Sequence, residues 1–175
     1  MGYVTDEIRA LIGVEGPVQT ADLPLDAERL RRFVQGAMED DPVHWDDEEA
    51  RRRGYGDVVA TPLFPLHASR RPSGTADPLD RFRDEPDWDG IGGEPFGGLP
   101  PLDLPLKRVL NGGTEARFHT LAKIGDVISS QSRYVDIYDR EGKSGQPMVI
   151  QVIETHYRNQ DGELLATIRN TLIAR

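Results

Sequence analysis

Residues 106–175 read LKRVLNGGTEARFHT, LAKIG, DVISSQSRYVDIYDR, EGKSG, QPMVIQVIETHYRN, QDG and ELLATIRNTLIAR. Four extended segments alternate here with three short polar connections. In the last segment Leu164, Ala166, Ile168, Leu172 and Ala174 share one parity, interrupted only by Asn170, which is the period-two signal of a half-buried strand. Asp161-Gly162 is a hairpin turn signal. Four such strands in succession predict an antiparallel meander whose apolar face needs a cover.

The N-terminal half supplies that cover. TDEIRALI (5–12) predicts a short helix opened by Thr5, with Asp6 and Glu7 in the first turn. In DAERLRRFVQGAM, Leu30, Phe33, Val34 and Ala37 fall at i, i+3, i+4 and i+7, one face of a helix with Asp26 as its N-cap. Pro42 ends that helix by Asp41. DDEEARRRG (46–54) reads as a short helix closed by Gly54. A helix is expected to begin near Thr61 and carry Leu63, Phe64, Leu66 and His67 inward, because proline is tolerated in a first turn. Residues 70–105 show no period, and eight glycines or prolines follow Gly90 by position 105. Trp88, Ile91, Phe96 and Leu99 suggest that this long insertion packs down.

The chain has 175 residues, enough for one domain with a real core. Its formal charge of −9 argues against nucleic acid as a partner, since phosphate contacts need a basic face. Anionic ligands would have to find Arg51-Arg52-Arg53 or Arg70-Arg71, runs that read equally as solvated faces. The absence of cysteine excludes disulfides and thiolate metal sites. The N-terminus lacks a basic, apolar leader, and no apolar run approaches a membrane span, so a soluble cytoplasmic protein is expected. No zinc or calcium motif is present, and GIGGEPFGG follows no strand and so makes a poor phosphate loop.

The stretch AMEDDPVHWDDEEARRRGYGDVVATPLF (37–64) sets a histidine five residues after a glutamate. Read alone, His44 is a turn histidine after a helix stop. Glu39-Asp40-Asp41 is an acidic turn at a helix C-terminus, where the dipole disfavours negative charge. The stretch also resembles the signature of the MaoC-like R-specific enoyl-CoA hydratases and dehydratases, G-D-x-N-P-[LIV]-H-x-[DE]. VLNGGTEARFHTLAKIGDVISSQSRYVDIYDREGKSG and ETHYRNQDGELLATIRNTLI resemble the N-terminal-type, FAS1-like dehydratase domain of the same superfamily. The resemblance spans about residues 24–175. It implies an α+β hotdog fold, an antiparallel sheet wrapped around a long central helix, in a single domain with an insertion at about 70–105.

Position by position, Glu39 stands where the family has its catalytic aspartate and Asp41 where it has asparagine. Pro42 and His44 match, and Asp46 matches the trailing acid. Thr61 replaces the glycine whose backbone N–H faces the thioester oxygen. The resemblance thus implies catalytic roles for Glu39, His44 and Asp41, and substrate contacts from the Thr61 N–H and from Arg51, Arg52 and Arg70. It implies no metal or redox cofactor, a CoA or carrier-protein thioester as substrate, and a homodimer or a heterodimer with another hotdog chain. The activity implied is hydration of a 2-enoyl thioester or dehydration of its 3-hydroxyacyl counterpart. The alternative is a non-catalytic or substrate-binding subunit paired with a catalytic chain. A thioesterase is a third class on the same architecture, which fold alone does not separate.

Overall fold

A computed structural model describes residues 2–69, 74–87, 96–106, 108–142 and 145–175, with Pro78 described by its backbone alone. The sheet is antiparallel throughout. Its strands are β1 (Gln19–Thr20), β2 (Val109–Phe118), β3 (Ser129–Glu141), β4 (Pro147–Arg158) and β5 (Leu164–Ala174). The order is β1-β3-β4-β5-β2. The four expected strands are present, but only β3, β4 and β5 form a meander. β2 lies beyond β5, in register from Val109 opposite Ala174 to Phe118 opposite Ala166.

The segment between β2 and β3 is therefore a crossover and not a hairpin turn. Ala122 and Ile128 are buried within it. The Ala60 N–H donates to the Ala122 carbonyl and the Leu25 N–H to that of Asp126, which ties the crossover to the N-terminal half. Ala122 and Ile128 go to the core, while Ile124 stays exposed.

The short helices begin where their caps stand. Thr5 accepts from Ile8 N–H ahead of α1 (Asp6–Arg9), and Asp26 accepts from Arg29 N–H at 2.7 Å ahead of α2 (Ala27–Gly36). Asp46 accepts from both Glu48 and Glu49 ahead of α3 (Asp47–Arg52). Gly54 follows α3 at φ 88°, a left-handed conformation that glycine takes without strain. A further short helix, α4, spans Arg81–Asp84.

The helix expected from Thr61 is absent. Phe64–His67 makes one 3₁₀ turn instead, and Leu63 is half exposed. Thr61 and Phe64 each precede a proline, which disfavours α geometry, and Pro65 has no N–H to return to Thr61. Among the described residues the longest helix is α2, at ten residues. The element at the centre of this fold is thus a short turn with Phe64 as its buried anchor.

Two apolar clusters cover the inner face of the sheet. One gathers Leu25, Leu30, Val34, Phe64, Ile128 and Leu165. The other holds Ile8, Leu99, Tyr134, Ile137, Val149 and Ile153, roofed by Leu102, Leu104 and Leu106. The Pro/Leu-rich part of the insertion does pack down, as Leu99 shows. The roof is pinned where Tyr134 Oη donates to the Pro100 carbonyl at 2.9 Å. It is also pinned at Gly97, where any Cβ would lie 2.2 Å from Ser132 Oγ. Phe96 remains partly exposed, and Trp88 and Ile91 lie outside the described residues. Among the described residues no helix is long and apolar enough to cross a membrane.

Candidate active site

The local structure around His44 follows from its neighbours. Asp41 Oδ1 accepts from Val43 N–H at 3.2 Å and caps the 3₁₀ turn Pro42–His44, in which proline occupies the first position. The turn sets Val43 into a small cluster with Ala50 and Val59, and His44 is carried inward to 5% exposure. There the ring Nδ1 lies 2.7 Å from the Val59 carbonyl oxygen. A carbonyl only accepts, so Nδ1 carries a proton, and in the neutral form of such a ring Nε2 is the acceptor. Nε2 has no hydrogen-bond partner among the described residues.

Thr61 follows two residues after Val59, in the buried stretch Val58–Thr61, and is itself 5% exposed. Its carbonyl accepts from Phe64 N–H. Its own N–H donates to no described residue. Its hydroxyl oxygen is fully buried and also lacks a partner among them. Leaving a buried hydroxyl unpaired costs about 1–3 kcal/mol, so such a group marks either strain or a place for a ligand.

Glu39 is positioned by the end of α2. Met38 N–H donates to Gln35 O and Glu39 N–H to Val34 O, both at 3.1 Å, the paired bonds of a Schellman end. The left-handed position of that motif, normally glycine, is Met38 at φ 53° and 88% exposed. Glu39 then folds back, and Oε1 accepts from the N–H groups of Asp40 and Asp41 at 3.1 and 3.2 Å. Oε2 makes no hydrogen bond among the described residues. Glu39 lines a cavity of about 330 Å³ with Arg31, Val34, Gln35 and Trp45. No hydrogen bond links Glu39 to His44.

The other expected residues fall differently. Asp41 uses both oxygens, one on Val43 N–H and one on Arg53 Nη1 at 2.8 Å. The Val43 N–H, with Arg53 beside it, holds its carboxyl below the usual range despite some desolvation. Asp46 is a helix cap. Arg51 faces Asp47 at 3.8 Å, and Arg52 is bonded to Glu49. These are exposed i,i+3 and i,i+4 pairs along α3. Arg70 and Arg71 lie outside the described residues. The structure therefore ties the His44 ring to Val59, two residues before the buried Thr61, sets Glu39 and Trp45 around a cavity, and leaves Arg51 and Arg52 on a solvated helix face.

Sequence reading missed three participants. The Val59 carbonyl fixes the imidazole, and no side-chain pattern announces a backbone acceptor. Trp45, half exposed beside His44, lines the cavity. Arg53 was grouped with two neighbours from which its pairing to Asp41 separates it. Among the described residues no group of three His, Asp or Glu is placed to hold a metal ion.

A five-stranded antiparallel sheet of this order, with short helices on one face and a buried histidine on a proline turn, is a hotdog-fold domain of the hydratase and dehydratase kind. The family model of the FAS1-like dehydratase domain region matches residues 10–168, and the chain belongs to that family. It is similar to a protein of Saccharopolyspora erythraea described as a UPF0336 protein, 26% identical over 167 residues, covering 95% of this chain and 90% of the relative. Among solved structures it resembles the ChsH1-ChsH2 complex from Mycobacterium tuberculosis, at TM-score 0.67 and 15% identity, over 96% of this chain and 86% of that one. It also resembles a MaoC-like dehydratase from Rhodospirillum rubrum, at TM-score 0.58 and 19% identity, over 91% and 90%. At these identities the structural likenesses speak to the fold.

Proposed function

We propose that the chain binds a 2-enoyl or 3-hydroxyacyl thioester, of CoA or a carrier protein, and adds or removes water across its α,β-bond. One observation carries this reading. A buried imidazole donates through Nδ1 to the Val59 carbonyl, leaving Nε2 to act as a base, and two residues on Thr61 has a backbone N–H with no acceptor among the described residues. In the hydration direction, Nε2 takes a proton from water as the water oxygen bonds to Cβ. The electron pair of the double bond moves toward Cα and the thioester oxygen. The proton is then returned to Cα, so the site ends as it began. Glu39 Oε2, unpaired among the described residues, is the second group able to hold the water or pass the proton. The Thr61 N–H supports the oxygen where negative charge develops. Asp41 is a positioning residue in this scheme, since both its oxygens are already engaged.

The family match to a dehydratase region supports this assignment. The test is the purified chain with a short 2-enoyl-CoA such as crotonyl-CoA, followed through loss of the conjugated thioester absorbance. Turnover that disappears in His44→Ala and Glu39→Ala supports the reading, and a chain inactive on short, long and branched enoyl-CoAs counts against it.

A second reading, a subunit that pairs with another hotdog chain, is favoured by β2. All ten of its residues are exposed, although the strand is paired along its length to β5. A long unpaired edge of this kind is a template for strand addition. Glu115 and Arg117 form no ion pair among the described residues. They sit opposite Arg169 and Thr167, on one face of the sheet. Two antiparallel β2 strands centred on Ala116 would set each Glu115 against the other's Arg117. The ChsH1-ChsH2 structure, which this chain resembles, is by its description a complex. Pairing and catalysis are compatible, and activity of the isolated chain tells a self-sufficient enzyme from a dependent subunit.

A further inference from the structure

We propose that the Thr61 side chain, and not only its backbone, belongs to the binding site: its hydroxyl is a second hydrogen-bond donor to the thioester carbonyl oxygen. The proposal rests on the reading of the site given above. Its basis is an oddity at one residue. A buried threonine normally spends its hydroxyl on a nearby backbone carbonyl. Thr61 Oγ1 is fully buried and bonds to no described group.

The orphaned hydroxyl is not alone. Among the described residues the N–H of the same residue is also without an acceptor, and His44 Nε2 is without a donor. Two open polar groups on one buried residue, with the open nitrogen of a ring anchored two residues upstream at Val59, point to a polar ligand atom that the described residues do not supply. Oγ1 is one bond from the carbon next to the Cα that bears the N–H, so the two donors of one residue can meet on a single oxygen. That is the arrangement an oxygen gaining negative charge needs. The backbone supplies one such donor whatever the residue, and glycine at this position would supply no other. Threonine doubles the number without adding a residue.

The experiment uses crotonyl-CoA carrying a ¹³C-labelled thioester carbonyl, with the bound carbonyl stretch read by difference infrared spectroscopy alongside steady-state kinetics. The wild-type chain is expected to shift the carbonyl to lower frequency. Thr61→Val, which keeps the shape and removes the hydroxyl, should lose part of that shift. Its kcat should fall about ten- to a hundredfold, while KM changes by less than about threefold. Thr61→Ser should restore both. The melting temperature of Thr61→Val should equal or exceed that of wild type, because an unpaired buried hydroxyl has been removed.

A Thr61→Val protein with wild-type carbonyl frequency and kcat overturns the proposal and assigns the hydroxyl to a trapped water. A wild-type chain that leaves the labelled carbonyl unperturbed overturns the reading of the site itself, and the proposal with it. A Thr61→Ser protein no better than Thr61→Val also counts against a hydroxyl donor.

Discussion

His44 Nδ1 donates to the Val59 carbonyl at 2.7 Å, and this one bond decides which nitrogen of the ring faces the site. Asparagine places its amide nitrogen about where Nδ1 stands and offers nothing at Nε2. His44→Asn is therefore expected to keep the Val59 bond and the fold while losing enoyl-thioester turnover by about 10²-fold or more. His44→Ala leaves a buried carbonyl unpaired and should in addition lose about 1–3 kcal/mol of stability. Denaturant unfolding of the two variants beside their rates separates orientation from basicity. Equal stability of the two would mean that the Val59 bond contributes little.

Glu39 meets the backbone with one oxygen and the cavity with the other. In Glu39→Gln the amide oxygen can still accept from Asp40 and Asp41, so the melting temperature should stay within a degree or two. The group facing the cavity becomes a donor without basicity, and kcat should fall on the order of a hundredfold. Unchanged kcat would remove Glu39 from the chemistry.

Met38 holds a left-handed conformation at a helix end where glycine is at ease. Met38→Gly should stabilise the chain by roughly 1 kcal/mol, seen as a higher midpoint in urea with the slope unchanged. Such strain beside Glu39 is of the kind found at functional sites. A Met38→Gly protein less stable than wild type would show that the Met38 side chain makes a contact worth more than the strain.

Glu154 is nearly buried on β4 and bonded to Arg133 at 2.7 Å and Arg169 at 3.0 Å. Burial alone would raise its carboxyl, but the two arginines outweigh it and leave the group below the ordinary glutamate range. A lowered folded value means that the stabilisation is fully present above the unfolded value, near 4.5. It is lost as pH falls through the folded one. Melting temperatures of wild type and Glu154→Gln should thus differ most at neutral pH and converge as the pH falls below the unfolded value and then through the lowered folded one. A gap that persists in acid would assign the effect to packing.

Strand β2 gives a charge-swap test of pairing. If two copies meet across Ala116, Arg117→Glu sets like charges opposite each other twice and should raise the dimer dissociation constant about tenfold. Glu115→Arg combined with Arg117→Glu should restore it. Sedimentation equilibrium at low and moderate salt reads both. A wild-type chain that is monomeric at all concentrations instead directs the edge to a different hotdog chain.

Much of this fold was legible in the sequence because local signals agreed with the final packing. The caps Thr5 and Asp26 and the parity of β5 each predicted an element that formed. Two features were not legible. Whether β2 pairs with β3 or β5 depends on where Leu121 and Ala122 are buried, and that is a tertiary fact about an apparently polar turn. The helix from Thr61 failed because one proline suits a first turn while Pro62 and Pro65 together do not. At the site, the P-x-H spacing singled out His44, which the structure buries with its ring on the Val59 carbonyl. In the function proposed above Asp41 is a positioning residue, a distinction hidden from sequence because a capping carboxylate and a reactive one are the same residue type. Only the direction of its bonds, to Val43 and Arg53, tells them apart.

The hydroxyls of Ser132 and Thr155 bond to each other at 2.8 Å on the inner face of the sheet. Along β3 and β4 they lie between the apolar cluster near Phe64 and the one beneath the Leu102–Leu106 roof. This polar pair divides the interior into two compartments with separate neighbours. Changes in packing on either side of such a division add rather than compound. The compartment around Phe64 can therefore drift in sequence at its own pace, with the roofed compartment acting as an independent reserve of stability.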